Sequence, residues 1–144
     1  MLLESEAFAG QPSCESAELP RGIDVSDSQR NTVWPEIQTS GIRFAFVKAT
    51  EGRGFVNRNF ASAWNKLPGT AIRRGAYHYY KPTDDPAEQA ALFLQVVGDL
   101  TTGDLPPLLD LEESGEVDAA TLLSRVAIWL ERVEQATGKT PILY

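Results

Sequence analysis

The 144 residues suit a single domain, and 42% apolar content with nine prolines and eleven glycines is a globular composition, neither disordered nor fibrous. Thirteen basic against twenty acidic side chains leave a net charge of −7, so the chain has no pull on phosphates and no nucleic-acid partner is expected. The single cysteine, Cys14, excludes an internal disulfide. No apolar run approaches the ~20 residues of a membrane span.

The N-terminus, Met-Leu-Leu followed by Glu4 and Glu6, lacks the basic start and apolar core of an export signal. Residues 1–20 show no periodicity and read as a disordered lead-in. Order begins at Arg21-Gly22-Ile23-Asp24-Val25-Ser26, a first strand. Trp34-Pro35-Glu36-Ile37 reads as a short helix with Pro in its first turn, broken by Gly41. Ile42 to Ala49 is rich in β-branched and aromatic residues and predicts a second strand, ended by Gly52 and Gly54. Phe60, Trp64 and Leu67 recur at helical spacing, with Asn59 as the expected cap and Pro68-Gly69 as the stop.

Ile72 to Tyr80 predicts a third strand. Asp85-Pro86-Ala87-Glu88 is a helix start with an acidic cap, and Ala87, Ala90, Ala91, Leu94 and Val97 mark the expected buried stripe. Pro106 to Leu111 is a fourth strand. Asp118 to Thr137 is the longest helix, with Leu122, Val126, Leu130 and Val133 on one face and Gly138 at its end. Trp64 and Trp129 fall on helical faces and are expected in the core. Pro141 to Tyr144 opens a fifth strand.

Short apolar strands alternating with helices predict an α/β fold with a parallel sheet. An open doubly wound sheet and the front part of a β/α barrel both fit. No G-x-G-x-x-G follows the first strand, which argues against a dinucleotide fold. In either architecture ligands meet the carboxyl ends of the strands. Those ends carry Asp24; Lys48 and Glu51; Tyr77, His78, Tyr79 and Tyr80; and Asp110 with Glu112. Alternation in a strand puts Asp110 and Glu112 on one face, with Cα atoms roughly 6.5–7 Å apart. Carboxyls that close do not both ionise freely, so one is held toward the protonated form, as a general acid requires.

Plainer roles compete at each position. Asp24 also fits as a cap for the turn that follows. Lys48 and Glu51 fit as each other's partner. A lone strand histidine such as His78 is more often packed and hydrogen-bonded than functional, and strand tyrosines often simply pack. Glu113 is expected to face solvent. No metal constellation, phosphate loop or nucleophile elbow is present, and no cofactor is expected.

Four ordered blocks, Gly22-Ile23-Asp24-Val25-Ser26, Phe46-Val47-Lys48-Ala49-Thr50-Glu51-Gly52, Gly75-Ala76-Tyr77-His78-Tyr79 and Pro107-Leu108-Leu109-Asp110-Leu111-Glu112, resemble glycoside hydrolase family 25, the lysozymes or N,O-diacetylmuramidases. Pro141-Ile142-Leu143-Tyr144 is similar to the family's next strand. The resemblance runs from about Arg21 to the end. It implies a parallel β/α barrel of the modified TIM type, of which about the first five strands are present. It also implies cleavage of the β-1,4 bond between N-acetylmuramic acid and N-acetylglucosamine. Glu112 matches the family's general acid, Asp110 the carboxylate that steers the substrate's acetamido group, and Asp24 an acid ending the first strand. Lys48, Glu51 and Tyr77 match groove-lining positions, and His78 is added to this substrate-binding set from its place in the third block.

In the family a later strand supplies a further acid. The chain is therefore expected to be a C-terminally truncated catalytic domain, residues 21–144, of a longer protein, or a non-catalytic remnant that binds glycan. Peptidoglycan strands are the expected partner, a monomer the expected state, and an extracellular or periplasmic location follows from such a function.

Overall fold

The computed structural model describes residues 19–27, 29 and 32–144. The reading of residues 1–18 as a disordered lead-in, Cys14 included, lies outside the described residues. The elements run β1 (Arg21–Val25), α1 (Trp34–Thr39), β2 (Ile42–Glu51), β3 (Phe55–Val56), α2 (Phe60–Lys66), β4 (Arg73–Tyr79), α3 (Pro86–Val97), β5 (Leu108–Asp110), α4 (Ala119–Thr137) and β6 (Ile142–Leu143).

Local chemistry explains most of these boundaries. Asp85 caps α3 by accepting from the N–H groups of Ala87 and Glu88, and Asp118 caps α4 by accepting from Thr121. Gly138 ends α4 in the left-handed conformation, φ 66°. Asn59 differs from expectation: it precedes α2 but makes no side-chain cap bond. Its own backbone is already helical, which turns the side chain away from the cap position, and its Nδ2 donates to the Asp27 carbonyl instead. The helix then tightens into a 3₁₀ turn over Leu67–Gly69.

The sheet order is β1-β2-β4-β5-β6, all parallel, with β3 hanging antiparallel from the end of β2. Neighbours in space follow chain order with no reversal. A doubly wound sheet requires a reversal, so the doubly wound alternative is excluded and the strands form part of a barrel wall. The little β3 hairpin was not foreseen, because two residues carry no periodicity.

Strand alternation gives the wall two faces. The outer face packs on the helices through Val25, Ala45, Val47, Ala49, Ala76, Tyr80 and Leu109, all buried with Phe93, Val97, Val126, Trp129 and Val133. In α3 the buried set is Pro86, Gln89, Ala90, Phe93 and Val97. This corrects the expected stripe: Ala91 is exposed, and Phe93 and the polar Gln89 are inside. Small apolar residues do not report a helix face, since alanine is tolerated on either side. In α4, Trp129 joins Val126 and Val133 in the core, while Leu122 and Leu130 sit half-buried at its margin.

The inner face carries Phe44 and Phe46, whose rings meet edge to face at 6.2 Å. Each lies across a glycine of the next strand. A Cβ on Gly22 would stand 2.0 Å from the Phe44 ring, and one on Gly75 2.4 Å from the Phe46 ring. Those two glycines of the sequence blocks are thus places where an aromatic ring occupies the space of a side chain.

Candidate active site

At the carboxyl end of the inner face the strands enclose a cleft of about 310 Å³, lined by Gly22, Ile23, Asp24, Phe44, Phe46, Tyr77, Leu108, Asp110, Glu112 and Tyr144. The aromatic and aliphatic members form its floor. Asp24, Tyr77, Asp110 and Glu112 bring the chemistry to its rim. The structure therefore gathers the three predicted acids and Tyr77 in one place. Helix α1 has Val33 at its N-cap position and no side-chain cap bond, so Asp24 is not its cap.

Asp110 ends β5 with its carboxyl half-buried, and its Oδ1 is buried with no hydrogen-bond partner among the described residues. Burial, followed by the charge of Glu112 and a hydrogen bond shared with it, pushes the Asp110 carboxyl up to about 6; Lys48 pulls it down and Asp24 adds a smaller upward push. The pair holds a proton between its two members into the weakly acidic range. Asp110 is anchored at the end of β5, while Glu112 stands in the exposed loop.

Tyr77 is buried, and its hydroxyl is raised well above the usual range, first by burial and then by Asp24, Asp110, Asp27 and Glu112. Its phenol is thus a neutral hydrogen-bond donor at the meeting point of the carboxyls.

Lys48 and Glu51 form an ion pair at 2.5 Å, as the plainer reading allowed. A register shift between Lys48 and Thr50 sets up this pair. It turns both Ala49 and Thr50 toward the helices and leaves Lys48 and Glu51 together on the rim. Lys48 Nζ also lies over the rings of Tyr79 (5.0 Å) and Phe55 (5.4 Å). Neither residue lines the cleft itself; Lys48 acts on it through its field on Asp110.

His78 requires a correction. It does not border the cleft but lies fully buried on the outer face, stacked on Trp129 with ring centroids 5.6 Å apart. Its Nδ1 meets Thr50 Oγ1 at 2.7 Å and its Nε2 meets Gln89 Oε1 at 3.0 Å. Burial lowers it to about 4, so it is a neutral packing residue across the ordinary pH range. The signal was present in the sequence: Tyr77 and His78 are adjacent in a strand and cannot share a face. Glu113, expected in solvent, is exposed and pairs there with Lys81 at 2.6 Å. Lys81 was not singled out, since a lysine after a strand carries no pattern. Among the described residues, no group of three or more His, Cys, Asp or Glu side chains is placed to hold a metal ion.

A partial parallel barrel wall with an acid pair at its carboxyl rim is the architecture of a class of glycan-cleaving hydrolases. The sequence model of glycosyl hydrolases family 25 matches residues 23–144, and the chain belongs to that family. It is 45% identical over 128 residues to YegX of Escherichia coli K12, an uncharacterized protein, covering 85% of this chain and 47% of that one. It is 30% identical over 136 residues to the N,O-diacetylmuramidase of Chalaropsis, covering 86% of this chain and 64% of the enzyme. A family 25 glycosyl hydrolase from Bacillus anthracis superposes with a TM-score of 0.81 at 31% identity, over 85% of this chain and 58% of that structure. The chain thus spans about half to two thirds of the length of these relatives.

Proposed function

We propose that this chain carries the acid pair of a peptidoglycan hydrolase that cuts the β-1,4 bond between N-acetylmuramic acid and N-acetylglucosamine. The observation that carries the reading is the Asp110–Glu112 pair, sharing a proton at the rim of a cleft floored by aromatic rings. The muramidase names of its relatives support the same substrate.

Glu112, exposed at the mouth, donates a proton to the leaving glycosidic oxygen as the bond to the anomeric carbon breaks. The substrate's acetamido oxygen attacks that carbon from the other side, steered by Asp110. Water then opens the ring so formed, returning its proton to Glu112 and retaining configuration. Substrate-assisted routes of this kind are known departures from the two-carboxylate scheme. Tyr77 donates a hydrogen bond into the cleft, and Asp24 adds negative field that favours the shared proton. Lys48 and Glu51 shape the rim. The enzyme acts as a monomer on wall glycan outside the cytoplasmic membrane; among the described residues no helix is long and apolar enough to cross a membrane.

The test is digestion of purified peptidoglycan by the 144-residue chain beside Glu112→Gln, with the new reducing ends identified. The wild type should release muramic-acid reducing ends, and loss of the general acid should slow release by about 10²–10⁴-fold without unfolding the protein. The rate should fall as pH rises through about 6, where the pair loses its proton. Near-normal turnover by Glu112→Gln would remove Glu112 from its role.

A further inference from the structure

We propose that Lys81 is a positioning residue that latches the loop carrying Glu112 against the cleft; the proposal rests on reading Asp110 and Glu112 as the reacting pair. Strand hydrogen bonds hold Asp110 at the end of β5, but Glu112 lies beyond it, in a stretch without regular structure that runs to Asp118. A side chain that must stay beside Asp110 needs a restraint from elsewhere.

The turn after β4 supplies it. Lys81 Nζ stands 2.6 Å from Glu113 Oε1 and 3.4 Å from Glu51 Oε1, and 4.7 Å over the Tyr79 ring. Two residues further on, Gly115 rests on the same turn. A Cβ there would lie 3.1 Å from Pro82 Cβ and 3.3 Å from Thr83 Cγ2. The loop therefore touches the turn on both sides of Ser114, through a charge pair and a close backbone approach.

The turn is itself anchored from below. The Lys81 N–H donates to Gln89 Oε1 and the Lys81 carbonyl accepts from Gln89 Nε2, both at 2.9 Å. Gln89 is fully buried, and its Oε1 also meets His78 Nε2. A continuous set of contacts runs from the helix-side core through Gln89 to Lys81, then across 32 residues of sequence to Glu113 and so to Glu112. The core histidine network thereby fixes the geometry of the open face. Glu113 also accounts for the raised affinity of Lys81 for its proton, ahead of Glu51.

The test follows the Asp110 carboxyl by carbon-13 NMR titration, and amide hydrogen exchange over residues 111–117, in the 144-residue chain and in Lys81→Met, Glu113→Gln and Lys81→Arg. If the latch holds Glu112 beside Asp110, the wild-type midpoint near 6 should fall by about half a unit in Lys81→Met and in Glu113→Gln. Exchange over 111–117 should quicken by about two- to fivefold, the scale of a partly exposed ion pair. Lys81→Arg should restore both. In Lys81→Met a purely electrostatic role has the opposite sign, because removing a cation raises a nearby carboxyl; in Glu113→Gln loss of an anion lowers it as well, so that variant is decided by the exchange. A raised midpoint, or an unchanged midpoint and exchange, would overturn the proposal. Neither readout needs wall cleavage, so a wild type that digests no peptidoglycan would end the hydrolase reading and leave the latch to be decided by the titration.

Discussion

The two faces of one sheet are built from neighbouring residues of the same strands, yet they have opposite physical characters. On the outer face Ala76, His78 and Tyr80 are buried against α3 and α4. Its main polar group there, His78, is satisfied by Thr50 and Gln89 and kept neutral. On the inner face Gly22, Gly75 and the two phenylalanines leave a cleft, and at its rim Asp110 Oδ1 has no hydrogen-bond partner among the described residues. The outer face also leaves Tyr80 Oη and Trp129 Nε1 without a hydrogen-bond partner among the described residues, but these are neutral groups packed in a core, whereas the groups crowded at the inner rim are carboxyls.

Substitutions that act on one face alone test that separation. The largest stability effect should come from Trp129→Ala. Trp129 is fully buried between Phe93 and His78, so its loss should cost about 3–5 kcal/mol in denaturant unfolding. The Asp110 carboxyl should keep its titration in whatever fraction stays folded. A strongly shifted Asp110 midpoint would show the faces to be one cooperative unit.

The next effect is in pH. His78 is lowered to about 4, below its unfolded value of 6.5, so between those values the unfolded chain binds more protons. Its contribution is fully present above about 6.5 and is lost as pH falls toward about 4, up to roughly 3 kcal/mol by linkage. Asp110 has the reverse sign. Raised from 3.8 to about 6, it favours the folded state at low pH and loses that contribution as pH rises through about 6. The two faces therefore oppose each other between about pH 4 and 6. Unfolding free energies of Asp110→Asn should fall more steeply with acid than those of the wild type, and those of His78→Asn less steeply. Parallel curves for all three proteins would contradict the assignment.

A smaller effect should follow from Gly75→Ala. The new methyl meets the Phe46 ring, and the forced repacking should cost about 1–3 kcal/mol. Phe46→Leu in the same chain should recover part of that loss, since the ring is what occupies the space. Recovery that is absent would mean the glycine serves the backbone rather than the ring.

Much of this arrangement was legible before the fold was known. Element order, the Asp85 and Asp118 caps, and the Gly138 stop rest on interactions within a few residues, where sequence spacing is itself geometry. Asp110 and Glu112 do line one cleft, but β5 ends at Asp110, so the loop beyond it rather than strand alternation places Glu112. His78 was misplaced by grouping a strand end as one cluster, although alternation separates it from Tyr77. The shift between Lys48 and Thr50, which turns Thr50 inward to His78 and pairs Lys48 with Glu51, leaves no compositional mark.

By itself the sequence determined the main helices and parallel strands and the acids that follow them, because helix caps, strand alternation and turn residues act over short distances. Tertiary structure alone decided that burial raises the Asp110 carboxyl, that His78 meets Thr50 and Gln89 in the core, and that Lys81 ties Glu113 to the turn after β4. Burial and charge act through space, and these partners are brought together only when separate strands pack into one wall.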